Sequence, residues 1–202
     1  MSVPAEEQSS FIVIGSWNPA IINHHWLKKH FPEKIPDAFS LEVPYPTIVS
    51  VPRINYEKIL IDPNNGRLVI TPKVMNEEIF QYISALALGI YELLAHTPIV
   101  ASGCNFVFKL EQGEYFKIDE IEQDDKIIDI YEGLTFTGKS VRHTFGLVDC
   151  SVNVFYDYVE NDKTLRLNFD YKGTRTVEKA TQALVENYKY SLELVDKLTR
   201  RK

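Results

Sequence analysis

Cysteine is scarce in this chain: Cys104 and Cys150 are the only two in 202 residues, and they form no CxxC pair. That excludes a disulfide framework or a paired-thiolate zinc site, and it points to reduced thiols in a cytoplasmic protein. Positive charge is also short. Lys and Arg total 22 against 28 Asp and Glu, a net charge of -6, with an isoelectric point near 5.4. Phosphate backbones and anionic membranes demand concentrated positive charge, so nucleic acid is a disfavoured partner. No apolar run is long enough to span a bilayer. The longest, IFQYISALALGIYELLA at 79–95, is broken by Gln81, Ser84 and Glu92 and falls short of the roughly 20 residues required. The opening MSVPAEEQSS has acids and no apolar core, unlike a signal peptide.

Motifs that announce chemistry are missing as well. The sequence has no GxxxxGK[ST], GxGxxG, HExxH or GxSxG, which lowers the expectation of an enzyme and suggests no cofactor or metal.

What is present is an aromatic-rich chain of ordinary globular composition, 45% hydrophobic and 25% charged, with eleven Tyr and eleven Phe. Its length suits a single domain over residues 10–202, after a mobile tail at 1–9. FIVIG (11–15) reads as a buried strand. In GSWNPAIINHHW (15–26), Asn18 fits an N-cap and Pro19 the first helical position, with Trp17 and Ile22 placed as a hydrophobic staple. Pro32 stops that helix. LEVPYPTIVSVP (41–52) is extended and proline-broken, which suits a sheet edge or a bulged strand. YEKILID and RLVIT (56–62 and 67–71) flank Asn65-Gly66, a hairpin signal. Asn76 caps a helix to about His96 that is apolar nearly all round, hence buried on most sides or covered by a partner. IVASGCNFVFKL (99–110) reads as a strand, and 111–126 as a loop or short helix. IIDIYEGL (127–134), SVRHTFGL (140–147), SVNVFYDYV (151–159) and LRLNFDY (165–171) are further strands. The last helix, about 176–199, has Val177, Ala180, Leu184, Tyr188, Leu192, Val195 and Leu198 on one stripe, and its Thr-Arg-Arg-Lys end suits the helix dipole.

The order strand, helix, strands, helix occurs twice, over 10–96 and 98–200, which suggests internal duplication. This element order resembles that of the saddle-shaped TATA-binding-protein fold. The resemblance implies an α+β architecture, one antiparallel sheet with helices on one face. No motif of that family is matched, so its DNA binding does not carry over.

His24, His25 and His30 do not share a helical face, and solvated surface histidines are expected. His143, Asp149 and Cys150 bracket a hairpin and could form a scattered enzyme site only if the thiol and imidazole came within hydrogen-bond reach. The acids at 119–125 lack the spacing of a calcium loop. Strand alternation is more telling. Val152, Val154, Tyr156 and Tyr158 face one way, as do Leu165, Leu167, Phe169 and Tyr171. Asn153, Phe155 and Asp157, with Arg166, Asn168 and Asp170, take the reverse face, which Asn105, Lys109 and Arg142 would join.

The expectation is therefore a non-enzymatic accessory protein, cytoplasmic and prokaryotic in style. It would bind a protein partner through a polar sheet face carrying Arg142, Asn153, Asp157, Arg166, Asn168 and Asp170, or through residual exposure of the apolar helix 76–96. A nucleic-acid module on that same face and an enzyme near His143 are the alternatives. A homodimer covering the central helix is the expected assembly if one forms.

Overall fold

The computed structural model describes residues 3–43, 51–117, 138–159 and 162–201. Along the chain come β1 (Val3–Pro4), a 3-10 turn (Glu6–Gln8), β2 (Ser10–Gly15), α1 (His24–His30), β3 (Ser40–Glu42), β4 (Arg53–Asn55), β5 (Ile59–Pro63) and β6 (Arg67–Pro72). They are followed by α2 (Glu77–Leu93), β7 (Ile99–Lys109), β8 (Glu114–Phe116), β9 (Gly138–Gly146), β10 (Ser151–Val159), β11 (Asp162–Lys172), α3 (Thr176–Leu198) and β12 (Thr199–Arg201). Ten strands form an antiparallel sheet in the order β3-β4-β5-β6-β2-β7-β11-β10-β9, with β1 also beside β7. The fold is α+β, as expected. Among the described residues no helix is long and apolar enough to cross a membrane.

The alternation in the sequence becomes a sidedness in the sheet. Cys104, Phe106 and Phe108 of β7 lie opposite Phe169, Leu167 and Leu165 of β11, which lie opposite Val152, Val154 and Tyr156 of β10. All nine are buried. Both long helices seal this face. Phe80 of α2 and Tyr188 of α3 each meet Phe106, with ring centroids at 5.3 and 5.8 Å. The helices also hold each other, the Ser84 hydroxyl donating to the Thr181 carbonyl at 2.8 Å. Gly103 lets β7 and β11 close up, since a Cβ there would stand 2.3 Å from the Phe169 carbonyl oxygen.

Local signals were followed at several points. The side chain of Asn64 accepts the backbone N–H of Gly66 and Arg67, closing the β5–β6 hairpin. Asn76 caps α2 by accepting from the Ile79 N–H at 2.9 Å. The apolar residues of α2 are covered by the chain itself: Ile79, Phe80, Ile83, Leu86, Ala87 and Ile90 are buried, and only Leu93 of its large hydrophobics is exposed. No partner is needed to cover it.

Other positions differ from the sequence reading. Helix α1 begins at His24 with Asn23 as its cap, accepting from the Trp26 N–H. Asn18 instead accepts from the Ala20 N–H in a turn. Both asparagines are competent caps, and the downstream one won because Trp17 and Ile22 are pulled into the core ahead of the helix, 4% and 1% exposed. Helix α3 starts at Thr176, and the Arg175 that precedes it lies in the left-handed region, φ 56°, and gives no side-chain cap. Its stripe excludes Leu192, 39% exposed, and takes fully buried Ser191, whose hydroxyl donates to the Asn187 carbonyl. Thr199–Arg201 leave the helix and pair with β8. Residues 3–9, read as a tail, run along β7: Ala5 donates to the Val107 carbonyl, and Ser9 is buried. The expected strand at 127–134, the acids at 119–125 and Glu160-Asn161 lie outside the described residues.

Phe106→Ala should cost about 3–5 kcal/mol of stability, the usual range for emptying a buried phenylalanine site. Leu192→Ala should stay within about 0.5 kcal/mol. Urea denaturation of both variants checks the helix register.

Candidate functional site

The helix-free face is built by the same register that makes the core. Thr144 of β9 lies opposite Asn153 of β10, Asn153 opposite Asn168 of β11, Asn168 opposite Asn105 of β7, and Asn105 opposite Ser10 of β2. Five neighbouring strands thus place polar side chains in one row across the sheet, and the side chains bond along it. Asn153 donates to Asn168 at 2.8 Å, Asn168 to Asn105 at 2.9 Å, and Asn105 to the Ser10 hydroxyl at 3.3 Å. The Asn153 carbonyl oxygen accepts Nε and Nη2 of Arg142 at 3.1 and 2.6 Å and the Thr144 hydroxyl at 2.9 Å.

The polarity of this ladder follows from one fact. A guanidinium has donors and no acceptor. Arg142 therefore turns the Asn153 oxygen toward itself and leaves the Asn153 amide group facing Asn168. That presents its donors to the Asn168 oxygen, and the choice repeats at Asn105. All three side-chain dipoles line up, which strengthens each bond in the row.

Beside the ladder runs a second row, Arg142, Phe155 and Arg166. The two guanidinium carbons stand 5.4 and 4.3 Å from the Phe155 ring centroid, within cation–π range. Arg166 also pairs with Asp157 at 3.3 Å, whose other oxygen accepts the Ser140 hydroxyl at 2.5 Å.

Five of the six residues singled out from the sequence, Arg142, Asn153, Asp157, Arg166 and Asn168, thus come together. Asp170 does not join them; it sits one row away, opposite Gly103 and Ser151, and pairs with Lys172 at 3.1 Å. One expectation is corrected. Asn153 was assigned to a solvated surface, but it is 4% exposed. Its burial is tolerated because the amide oxygen and amide nitrogen are both hydrogen-bonded, so Asn153 holds Arg142 in place rather than facing outward. Thr144, Ser140 and Ser10 were missed. They are visible only once the strand pairing is known.

The scattered-site alternative meets a geometric obstacle. His143 lies opposite Val154 and packs on Tyr156 and Phe145. Cys150 is four residues from Val154, roughly 13 Å along the strand by the rise per residue. Burial raises the pKa of both thiols, that of Cys104 most strongly, which keeps them protonated. His24 is not simply solvated: it stacks on Phe39 with centroids 3.8 Å apart and bonds the Tyr56 hydroxyl. Among the described residues no three or more of His, Cys, Asp and Glu converge as a metal site.

A cavity of about 240 Å³ adjoins the ladder at Ser10, with Arg53, Asp62 and Arg67 in its wall, and others lie off this face. One of about 510 Å³ lies between the β9–β10 turn and α3, with Cys150, Tyr171 and Asn187 in its wall. Another of about 370 Å³ lies between the segment after α1 and the start of α2, with Tyr56 and Tyr82 in its wall.

No protein-family model matches the chain, and no curated protein matches it either.

Asn168→Ala leaves the Asn153 amide nitrogen and the Asn105 oxygen without their partner, and should cost about 1–3 kcal/mol in urea denaturation. The thiols predict a pH dependence. Cys104 ionises far less readily folded than unfolded, so its contribution is full below about pH 8.5 and is lost as pH rises past that value toward the raised folded pKa. Urea midpoints from pH 7 to 10 should fall at the alkaline end, and less steeply in Cys104→Ala.

Proposed function

We propose that this chain is a non-enzymatic accessory protein that captures a protein partner on the helix-free face of its sheet, with Arg142 and Arg166 as the contacting groups. The observation that carries this reading is the convergence of two guanidinium groups on Phe155, one of them fixed from behind by a ladder of amides. Rigid arginine and aromatic groups are the ones that dominate protein interfaces. A surface prepared this way loses little side-chain entropy on binding. Two unpaired cysteines support a reducing, cytoplasmic setting.

The reading includes a duplicated architecture. It is supported by the strand order, which runs β2-β6-β5-β4 and then β3 on one side of the central β2–β7 pair and β7-β11-β10-β9 on the other. Each half then closes with one long helix. That order is what a saddle with two equivalent halves would have.

The test begins with partners that co-purify with the intact chain. Arg142→Ala, Arg166→Ala and Asn168→Ala, combined, should abolish capture while circular dichroism shows a folded protein; undiminished capture would count against the face. Nucleic acid on the same face is the second reading, favoured only by the two arginines. Filter binding across a salt series separates them, and retention of DNA or RNA that falls steeply with salt would favour it.

A further inference from the structure

Two arginines of this face, Arg67 and Arg142, have no carboxylate partner among the described residues, and of the two only Arg142 is held in one orientation by hydrogen bonds. Arg53, Arg166 and Lys172 each have a carboxylate within 4 Å: Asp62 at 3.2 Å, Asp157 at 3.3 Å and Asp170 at 3.1 Å. Arg142 differs. It is exposed, and its guanidinium donates two hydrogen bonds to a neutral oxygen, that of Asn153. Among the described residues no carboxylate pairs with it. Two hydrogen bonds therefore orient this guanidinium, and no described carboxylate compensates its charge. In a protein with a net charge of -6, that is an unusual use of an arginine.

Resting on the binding reading above, we propose that Arg142 is an anion anchor, and that its ligand is a carboxylate on an acidic segment of the protein partner. Nε and Nη2 are engaged by Asn153, which leaves Nη1 and the outer side of the fork for the incoming group. An arginine held in one orientation favours a planar carboxylate, which it can meet with directed bonds. One feature favours carboxylate over a phosphate backbone: repeated phosphates need several cations along a track, whereas beside Arg142 the other guanidinium, that of Arg166, is already neutralised by Asp157.

Asn168 then acts as a positioning residue. It does not meet the ligand; it holds the amide of Asn153, which holds Arg142. Removing Asn168 frees Asn153 to rotate, and the guanidinium loses its fixed direction while its charge stays.

The experiment uses the full chain and hexa-L-glutamate as probe, with hexa-L-glutamine and hexathymidylate alongside. Binding is followed by NMR of the Arg142 Nε–H and the Asn153 amide group. The expected result is a saturable hexa-L-glutamate shift at both groups that weakens as salt rises and is absent with hexa-L-glutamine. Arg142→Gln, which keeps most of the side chain, should weaken binding about tenfold or more, as expected for loss of one charge-assisted contact. Asn168→Ala should weaken it less, and Asn168→Gln should not restore the ladder's spacing. A shift spread evenly over surface lysines, equal response to hexa-L-glutamine, or tighter binding of hexathymidylate at Arg142 would overturn the proposal. Competition separates it from the broader reading. If the triple variant loses the native partner but hexa-L-glutamate does not compete for that partner, the carboxylate assignment fails and the binding face stands. If capture survives the triple variant, the face itself fails.

Discussion

The register of β7 between β2 and β11 is the constraint on which the rest of the molecule depends. β7 is the strand that joins the two sides of the sheet, pairing with β2 along one edge and β11 along the other. Side chains alternate along a strand, so a slip of one residue would exchange its two faces. Cys104, Phe106 and Phe108 would leave the helices, and Asn105 would enter the core without its partners. The cost of that exchange, several buried apolar groups exposed and an amide stranded, locks the polar row in place. The polar face is thus a by-product of core packing: the more firmly Phe106 is held between Phe80, Phe169 and Tyr188, the more firmly Asn105 is aimed the other way.

Much of this was legible in the sequence where the signal is local. A two-residue period in SVNVFYDYV and LRLNFDY is enough to divide core from surface. Asn64, Gly66 and Asn76 act on neighbours within three residues, and the chain reads as it folds. The misreadings share the opposite property. Asn18 and Asn23 are equally good caps in isolation, and the burial of Trp17 and Ile22 decided between them. Thr199–Arg201 suit a helix end, yet β8, more than eighty residues earlier in the chain, offers them a strand to pair with. Residues 3–9 have no local reason to be ordered; the open flank of β7 supplies one. For the candidate site, alternation put the right residue types on one face but could not show that Asn153 meets Asn168. Pairing across strands is set by register, which no short window contains.

A polar network that satisfies itself has a particular standing among binding surfaces. Its members have little free hydrogen-bonding capacity to offer a ligand, so their contribution is geometric. Here the geometry is directional, because one end of the row is a pure donor and every amide after it must follow. The same argument explains how a half-buried amide row can sit in a sheet without destabilising it.

Both tryptophans lie within ten residues of each other, at 17 and 26. Trp17 is buried with its indole N–H donated to the Val13 carbonyl, whereas Trp26 is half-buried against His30 and Phe31. Intrinsic fluorescence from this protein is therefore a local instrument, a blue-shifted emitter and a solvent-touched one side by side at the junction of β2 and α1. An unfolding curve recorded by that emission follows this corner of the first half, and its agreement with far-ultraviolet dichroism would measure how tightly the two ends of the sheet melt as one.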